Sequence, residues 1–153
     1  MMFTSFPKIR PELPDNYKLI YAEHYKKNRD GNTSATSISQ RMESWMHRKV
    51  AEDVILETNK YTLEIGAGTL NQLKYEKSTP YDVVEPFKQL YEKSVLLDRI
   101  DNVYADIDEI EVLARYDRIT SIATFEHIEN LPHVIAKAAL LLKSDGCLRF
   151  AIP

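Results

Sequence analysis

Cysteine is almost absent. Cys147 stands alone, so no internal disulfide can form and a cysteine-rich zinc site is excluded. No other metal centre is expected. A single thiol suits a reducing compartment, and the expected location is cytoplasmic. With 4 Gly and 7 Pro, the chain is no low-complexity or collagenous sequence. No run approaches the roughly 18 apolar residues of a membrane span. The longest candidate, 136–142, is interrupted by Lys137 and bounded by Lys143. No basic stretch leads into an apolar core at the N-terminus, so a secretory leader is not expected either. Positive charge is also in short supply: 20 Lys and Arg against 23 Asp and Glu leave a net charge of −3. A chain that coats nucleic acid shows a strong basic excess, so nucleic acid is not an expected partner.

What remains is an ordinary globular composition, 44% hydrophobic over 153 residues, enough for one core. The pattern changes once, near residue 58. Residues 1–57 read as a proline-containing arm and two helices. Tyr17, Ile20, Tyr21, His24 and Tyr25 recur at helical spacing after Asp15, and Gly31 ends that segment. Ser37 and Gln40 have capping-box spacing, and Ile38, Met42, Trp45, Met46, Val50 and Val54 draw one stripe, so a second helix is expected over 37–57 with Trp45 in the core. Residues 58–153 alternate strand and helix. Strands are expected at 61–65, 81–85, 102–105, 118–123 and 147–152. Helices are expected at 71–77, after Pro86 (with Phe87, Leu90, Tyr91 and Val95 on one face), at 108–114, and from Pro132 to Asp145-Gly146 with Val134, Ile135, Ala138, Leu141 and Leu142 inward. Such alternation predicts an α/β fold with a parallel sheet and right-handed crossovers. Ligands bind such sheets beyond the carboxyl ends of the strands, at the point where strand order reverses.

The residues just after the strands are therefore the candidates. Gly66 and Gly68 permit close backbone approach after the first strand, with Ala67 between them and the Glu64 carboxylate just before. A tight strand-to-helix turn accounts for the same pair. Glu85, followed by Pro86 and Phe87, lies nineteen residues after Gly66, a spacing at which a carboxylate accepts hydrogen bonds from a ribose diol. Asp106 and Ile107 follow the third strand, where Asp106 serves either as an acceptor for an adenine amino group or as a helix cap. Ile122, Ala123, Glu126 and His127 close the fourth, with His127 either a site residue or a structural one.

Together, Glu64-Ile-Gly66-Ala-Gly68, Glu85, Asp106 and the stretch from Tyr116 to Ile128 resemble class I S-adenosylmethionine-dependent methyltransferases of the small-molecule type. Leu141-Leu-Lys-Ser-Asp-Gly-Cys-Leu148 is similar to that group's leucine-lysine-proline-glycine-glycine turn, with Ser144 and Asp145 replacing proline and the first glycine. Leu70 stands where many members carry a third glycine. The resemblance covers residues 60–153. It implies a Rossmann-like three-layer sandwich with five of the usual seven strands present and the C-terminal two missing. It implies S-adenosylmethionine, or its product S-adenosylhomocysteine, as cofactor. Gly66, Ala67 and Gly68 would pass the methionine moiety, with Glu64 near its ammonium. Glu85, beside Pro86 and Phe87, would hold the ribose, Asp106 and Ile107 would bracket adenine, and the backbone at Ile122 and Ala123 would meet the amino-acid end. His127 would stand on the methyl-transfer side as the catalytic candidate, with Glu126 supporting it.

The implied activity is methyl transfer to a small-molecule acceptor, a metabolite or sugar. A non-catalytic cofactor-binding subunit is the alternative. A nicotinamide-dependent oxidoreductase fits less well, because Asn71 occupies the place of its third glycine. The N-terminal helices would lid the cofactor. The fifth strand would be left as an apolar edge, offering a route to homo-oligomers.

Overall fold

The computed structural model describes residues 36–54 and 59–152, together with Asn16 and Ile20. The remainder of the arm and first expected helix, the side chains of the Ser37 cap, and the boundary placed at 57/58 lie outside the described residues.

Five strands form one sheet: β1 (Thr62–Ile65), β2 (Tyr81–Val84), β3 (Asn102–Tyr104), β4 (Tyr116–Ile122) and β5 (Leu142–Ala151). Their order is β3-β2-β1-β4-β5, and every neighbouring pair is parallel. Strand order reverses between β1 and β4, which places the expected crevice over those two carboxyl ends. Every residue of β1 and β2 is buried, as expected of central strands covered on both faces. One face is apolar: Leu63, Ile65, Val84 and Ile119 pack with Ile107, Ile110, Phe125, Ala138 and Leu141. On the other, Tyr81 and Val83 meet Ala67, Leu70 and Leu73.

Helix α1 (Thr36–Ala51) gives way to a 3-10 turn at Glu52–Val54, and residues 55–57 of the expected 37–57 lie outside the described residues. Met46 and Val50 press on Ile122, Ala123 and Ala151. The stripe is narrower than its sequence suggests. Met42 and Trp45 are about half exposed, so Trp45 is not a core residue: α1 lies against β4 and the edge strand β5, and nothing in the sheet reaches its flank.

The other expected helices shrink. Residues 71–77 and 108–114 contain only the 3-10 turns Gln72–Lys74 and Ile107–Glu109. After Pro86 there is no amphipathic helix but two 3-10 turns, Lys88–Leu90 and Leu97–Arg99, with Val95 93% exposed. Tyr91, Leu96, Leu97 and Ile100 reach the core from successive turns, a placement that a single helical face through Val95 would not permit. Helix α2 (Leu131–Leu141) starts as expected, with Pro132 in its first turn, but ends four residues early. Leu142 opens β5 instead of lining a helix. The segment Lys143–Gly146 is accommodated by a register shift, with Tyr116 opposite Leu142 and Arg118 opposite Cys147. A Cβ on Gly146 would lie 2.9 Å from Leu142 Cδ2 and 3.1 Å from the carbonyl oxygens of Lys143 and Tyr116, a crowding that glycine avoids. β5 is the edge strand, and Phe150 and Ile152 are exposed there. Among the described residues, no helix is long and apolar enough to cross a membrane.

Behind α1 lies a buried polar cluster. Arg118, in mid-β4, has no solvent exposure. Its Nη2 donates to the Val50 carbonyl (2.5 Å), Nε lies 3.1 Å from Asp53 Oδ1, and Nη1 lies 2.9 Å from Glu76 Oε1. Removing one member of a buried ion pair strands the others, at about 3–5 kcal/mol. Urea unfolding of Arg118→Met at neutral pH is therefore expected to show a loss of that size. A loss under about 1 kcal/mol would mean that the carboxylates find other partners or are already neutral.

Candidate functional site

The glycine loop is set by backbone geometry. Gly66 (φ +76°) and Gly68 (φ +50°) lie in the left-handed region. A Cβ on Gly66 would lie 2.2 Å from Thr124 Cγ2, so glycine is required there for space as well as conformation. Leu70, at the position of the missing third glycine, also adopts φ +62°. Its side chain is fully buried with Leu73, Tyr81 and Val83, and that packing offsets the strain, of order 1–3 kcal/mol.

Three strand ends meet at this loop. The Gly68 N–H donates to Glu85 Oε2 (2.7 Å), and the Phe87 N–H donates to Oε1 (2.9 Å). Glu85 therefore joins the loop after β1 to the loop after β2, with 5% of its surface exposed. From the end of β4, Thr124 Oγ1 donates to the Gly66 or the Ile122 carbonyl, which lie 3.3 and 3.1 Å away. Ala123 turns the chain at φ +50°, and its N–H donates to the Ala151 carbonyl.

The remaining candidates are placed as follows. Glu64 is buried beneath the loop and accepts from Tyr81 Oη (2.9 Å). Burial pushes its carboxyl up to about 8. Ala67 is buried, whereas Pro86 and Phe87 are exposed. Asp106 is exposed and caps its own 3-10 turn, its Oδ1 accepting from the Asp108 N–H (2.8 Å). Ile107 turns into the core beside Ile110 and Phe125. Ile122 packs under α1. His127 is half-exposed in the turn Phe125–His127. Its N–H donates to the Thr124 carbonyl, and its ring lies 3.8 Å from Glu126.

The structure thus brings Gly68, Glu85 and Phe87 into direct contact and adds Thr124 against Gly66, its place directly after the fourth strand being the available signal. It also adds the polar cluster behind the loop. Arg118 stands at the start of the strand expected over 118–123, where a charge carries no signal; β4 begins at Tyr116 and places it in mid-strand, and nothing in the spacing names its partners Asp53 and Glu76.

The parallel order, the reversal at β1/β4 and the acidic residue tied to a glycine turn define a nucleotide-cofactor domain. A family model described as "Methyltransferase domain" matches residues 36–153, and the chain belongs to that family. A malonyl-[acyl-carrier protein] O-methyltransferase of Priestia megaterium is 38% identical over 96 residues, covering 58% of this chain and 35% of the relative. Coclaurine N-methyltransferase, solved with N-methylheliamine and S-adenosylhomocysteine, is 25% identical with a TM-score of 0.54, over 69% of this chain and 34% of that one. The [4+2]-cyclase SpnF, at 16% identity and a TM-score of 0.59, covers 77% of this chain and 46% of its own, and shows the fold alone. The chain thus spans about a third of the curated relative's length. The resemblance carried by the strand-end motifs is borne out, as is the Rossmann-like parallel sheet.

The raised carboxyl of Glu64 makes stability pH-dependent. Between the ordinary carboxyl value of 4.5 and about 8, the folded state holds a proton at Glu64 that the unfolded state has released. This contribution is complete below the lower value and is lost as pH rises through the upper one, at up to about 1.4 kcal/mol per pH unit. Glu64→Gln, a neutral isostere, is expected to flatten the fall in unfolding free energy between about pH 5 and 8. Equal slopes for the two proteins in urea titrations would show that Glu64 ionises normally.

Proposed function

We propose that this domain binds S-adenosylmethionine and catalyses methyl transfer to a small-molecule acceptor, of metabolite or sugar type, in the cytosol. The observation that carries the reading is the Glu85 carboxylate at the end of β2, bonded to the Gly68 N–H of the glycine loop. The residues fit the cofactor. The loop offers backbone free of a side chain at Gly68, while Thr124 fills the space beside Gly66, and the carboxylate at the neighbouring strand end would accept from a ribose diol. Asp106 offers an exposed carboxylate to an exocyclic amino group. The bound sulfonium supplies an already activated methyl group. The chain's own work is then alignment of the acceptor with the sulfur–methyl bond. His127, exposed in the loop after β4, takes the proton from a hydroxyl or amine acceptor, with Glu126 beside it.

The curated relative acts on malonyl-acyl carrier protein, as its name states, but this chain covers too little of it to transfer that acceptor. A second reading is a cofactor-binding domain that does not transfer methyl groups, because a fold and a cofactor loop do not by themselves confer chemistry.

Calorimetric titration with S-adenosylhomocysteine tests the cofactor, and binding of NADH in its place would refute it. Glu85→Ala is expected to weaken S-adenosylhomocysteine about ten- to a hundred-fold, the value of one charge-assisted hydrogen bond. An unchanged dissociation constant would reduce Glu85 to a brace between loops.

Transfer of labelled methyl groups into a metabolite extract tests the activity. His127→Ala is expected to lower that transfer by about 10²–10⁴-fold with S-adenosylhomocysteine affinity intact. Undiminished transfer would remove His127 from the reaction, and cofactor binding with no labelled product would favour the second reading.

A further inference from the structure

The glycine loop is held at its front by Glu85 and at its side by Thr124. Just past the loop, Gln72 meets a histidine that the strand-end motifs do not include. His47, on α1, is 7% exposed and stacks on Tyr75, with ring centroids 5.7 Å apart and planes 7° from parallel. Its Nδ1 lies 2.8 Å from Gln72 Oε1. Gln72 is fully buried, four residues after Gly68, and its Nε2 donates to Glu76 Oε1 (2.5 Å). Glu76 Oε1 in turn faces Arg118 Nη1 at 2.9 Å.

The direction of each link follows from chemistry. A guanidinium only donates, so Glu76 Oε1 accepts. Two acceptor oxygens do not pair, so the Gln72 amide presents its NH2 to Glu76 and its oxygen to His47. The histidine must therefore carry its proton on Nδ1. Its Nε2 faces the other way, 3.5 Å from Glu43 Oε1, beside a cavity of about 220 Å³ lined by Glu43, Asn71, Lys74 and Tyr75. Gln72 is fixed through its backbone as well: its carbonyl accepts from the Tyr75 and Glu76 N–H groups. An anchor on its side chain therefore sets the chain that leaves the loop.

We propose that His47 is a positioning residue for cofactor binding: held as the Nδ1–H tautomer by the chain Arg118–Glu76–Gln72, it fixes Gln72 and with it the exit of the Gly66–Gly68 loop. This rests on the cofactor reading above. His47 touches no cofactor atom in this role, and its Nε2 is dispensable.

Two isosteres separate the ring nitrogens, since asparagine places its NH2 near Nδ1 and glutamine near Nε2. S-adenosylhomocysteine is titrated calorimetrically into the wild-type chain, His47→Asn, His47→Gln and Gln72→Met, with melting curves for each. In parallel, the ring nitrogens of the wild-type protein are observed by long-range proton–nitrogen correlation NMR above the ring's titration. The expected results are a protonated Nδ1 with a bare Nε2, affinity within about two-fold of wild type for His47→Asn, and losses of about three- to ten-fold for His47→Gln and Gln72→Met. A bare Nδ1 overturns the proposal whatever the variants do. So does wild-type affinity in His47→Gln, or a loss in His47→Asn equal to that in His47→Gln. If the wild-type chain fails to bind S-adenosylhomocysteine, the cofactor reading falls and this role falls with it. If it binds and only the variant contrast is missing, the cofactor reading stands and His47 is an ordinary packed residue.

Discussion

A guanidinium without solvent contact orders one side of this molecule. Arg118 leaves β4 and reaches the last turn of α1 through the Val50 carbonyl, the following 3-10 turn through Asp53, and the segment after the glycine loop through Glu76. Three stretches distant in sequence thus share one charge. A buried cation tolerates little displacement of its partners, because each lost contact leaves an ion in a medium of low polarity. Apolar packing of Met46 and Val50 holds α1 on the sheet but does not specify its rotation or height. The ionic contacts do, and they bring His47 level with Gln72.

The opposite side of the sheet is organised by apolar contact, with Leu63, Ile65 and Ile119 against Ala138 and Leu141 of α2. The amino ends of the strands are drawn together on one carboxylate. Asp82, in β2, accepts from Tyr61 Oη (3.0 Å), Tyr116 Oη (2.7 Å) and Asn102 Nδ2 (2.9 Å), and it faces Arg115 at 3.2 Å. The carboxyl ends carry the glycine turn and Glu85. The strands are thus fixed by polar knots at both ends, and the knot at the carboxyl ends is the one built from backbone N–H groups.

The parallel sheet was legible because strands buried on both faces are short apolar runs, and Gly66, Gly68 and Glu85 stand at fixed distances along them. The crossovers were not. Apolar residues at helical spacing, Phe87, Leu90, Tyr91 and Val95, also occur in consecutive turns of which only Tyr91 packs inward, and periodicity does not separate the two. The early end of α2 escaped for a different reason: Asp145-Gly146 reads as a helix stop, whereas the glycine serves a close approach to Tyr116 inside a strand irregularity. Of the site, the residues bound through backbone N–H groups were readable. The partners of Arg118 depend on three elements meeting in space, and no local pattern encodes that.

Leu70 has a consequence for motion. Its left-handed backbone and its fully buried side chain belong to one residue, so the turn that ends the glycine loop is also part of the Leu73–Tyr81–Val83 cluster. A loop built on a third glycine can flex without disturbing the core. This one cannot open unless a leucine leaves the interior, and its amide protons should exchange with solvent only as slowly as those of the β2 strand behind it. The loop is then a fixed floor. The turns after Phe87 share that floor, because Tyr91, Leu96, Leu97 and Ile100 pack against the same cluster.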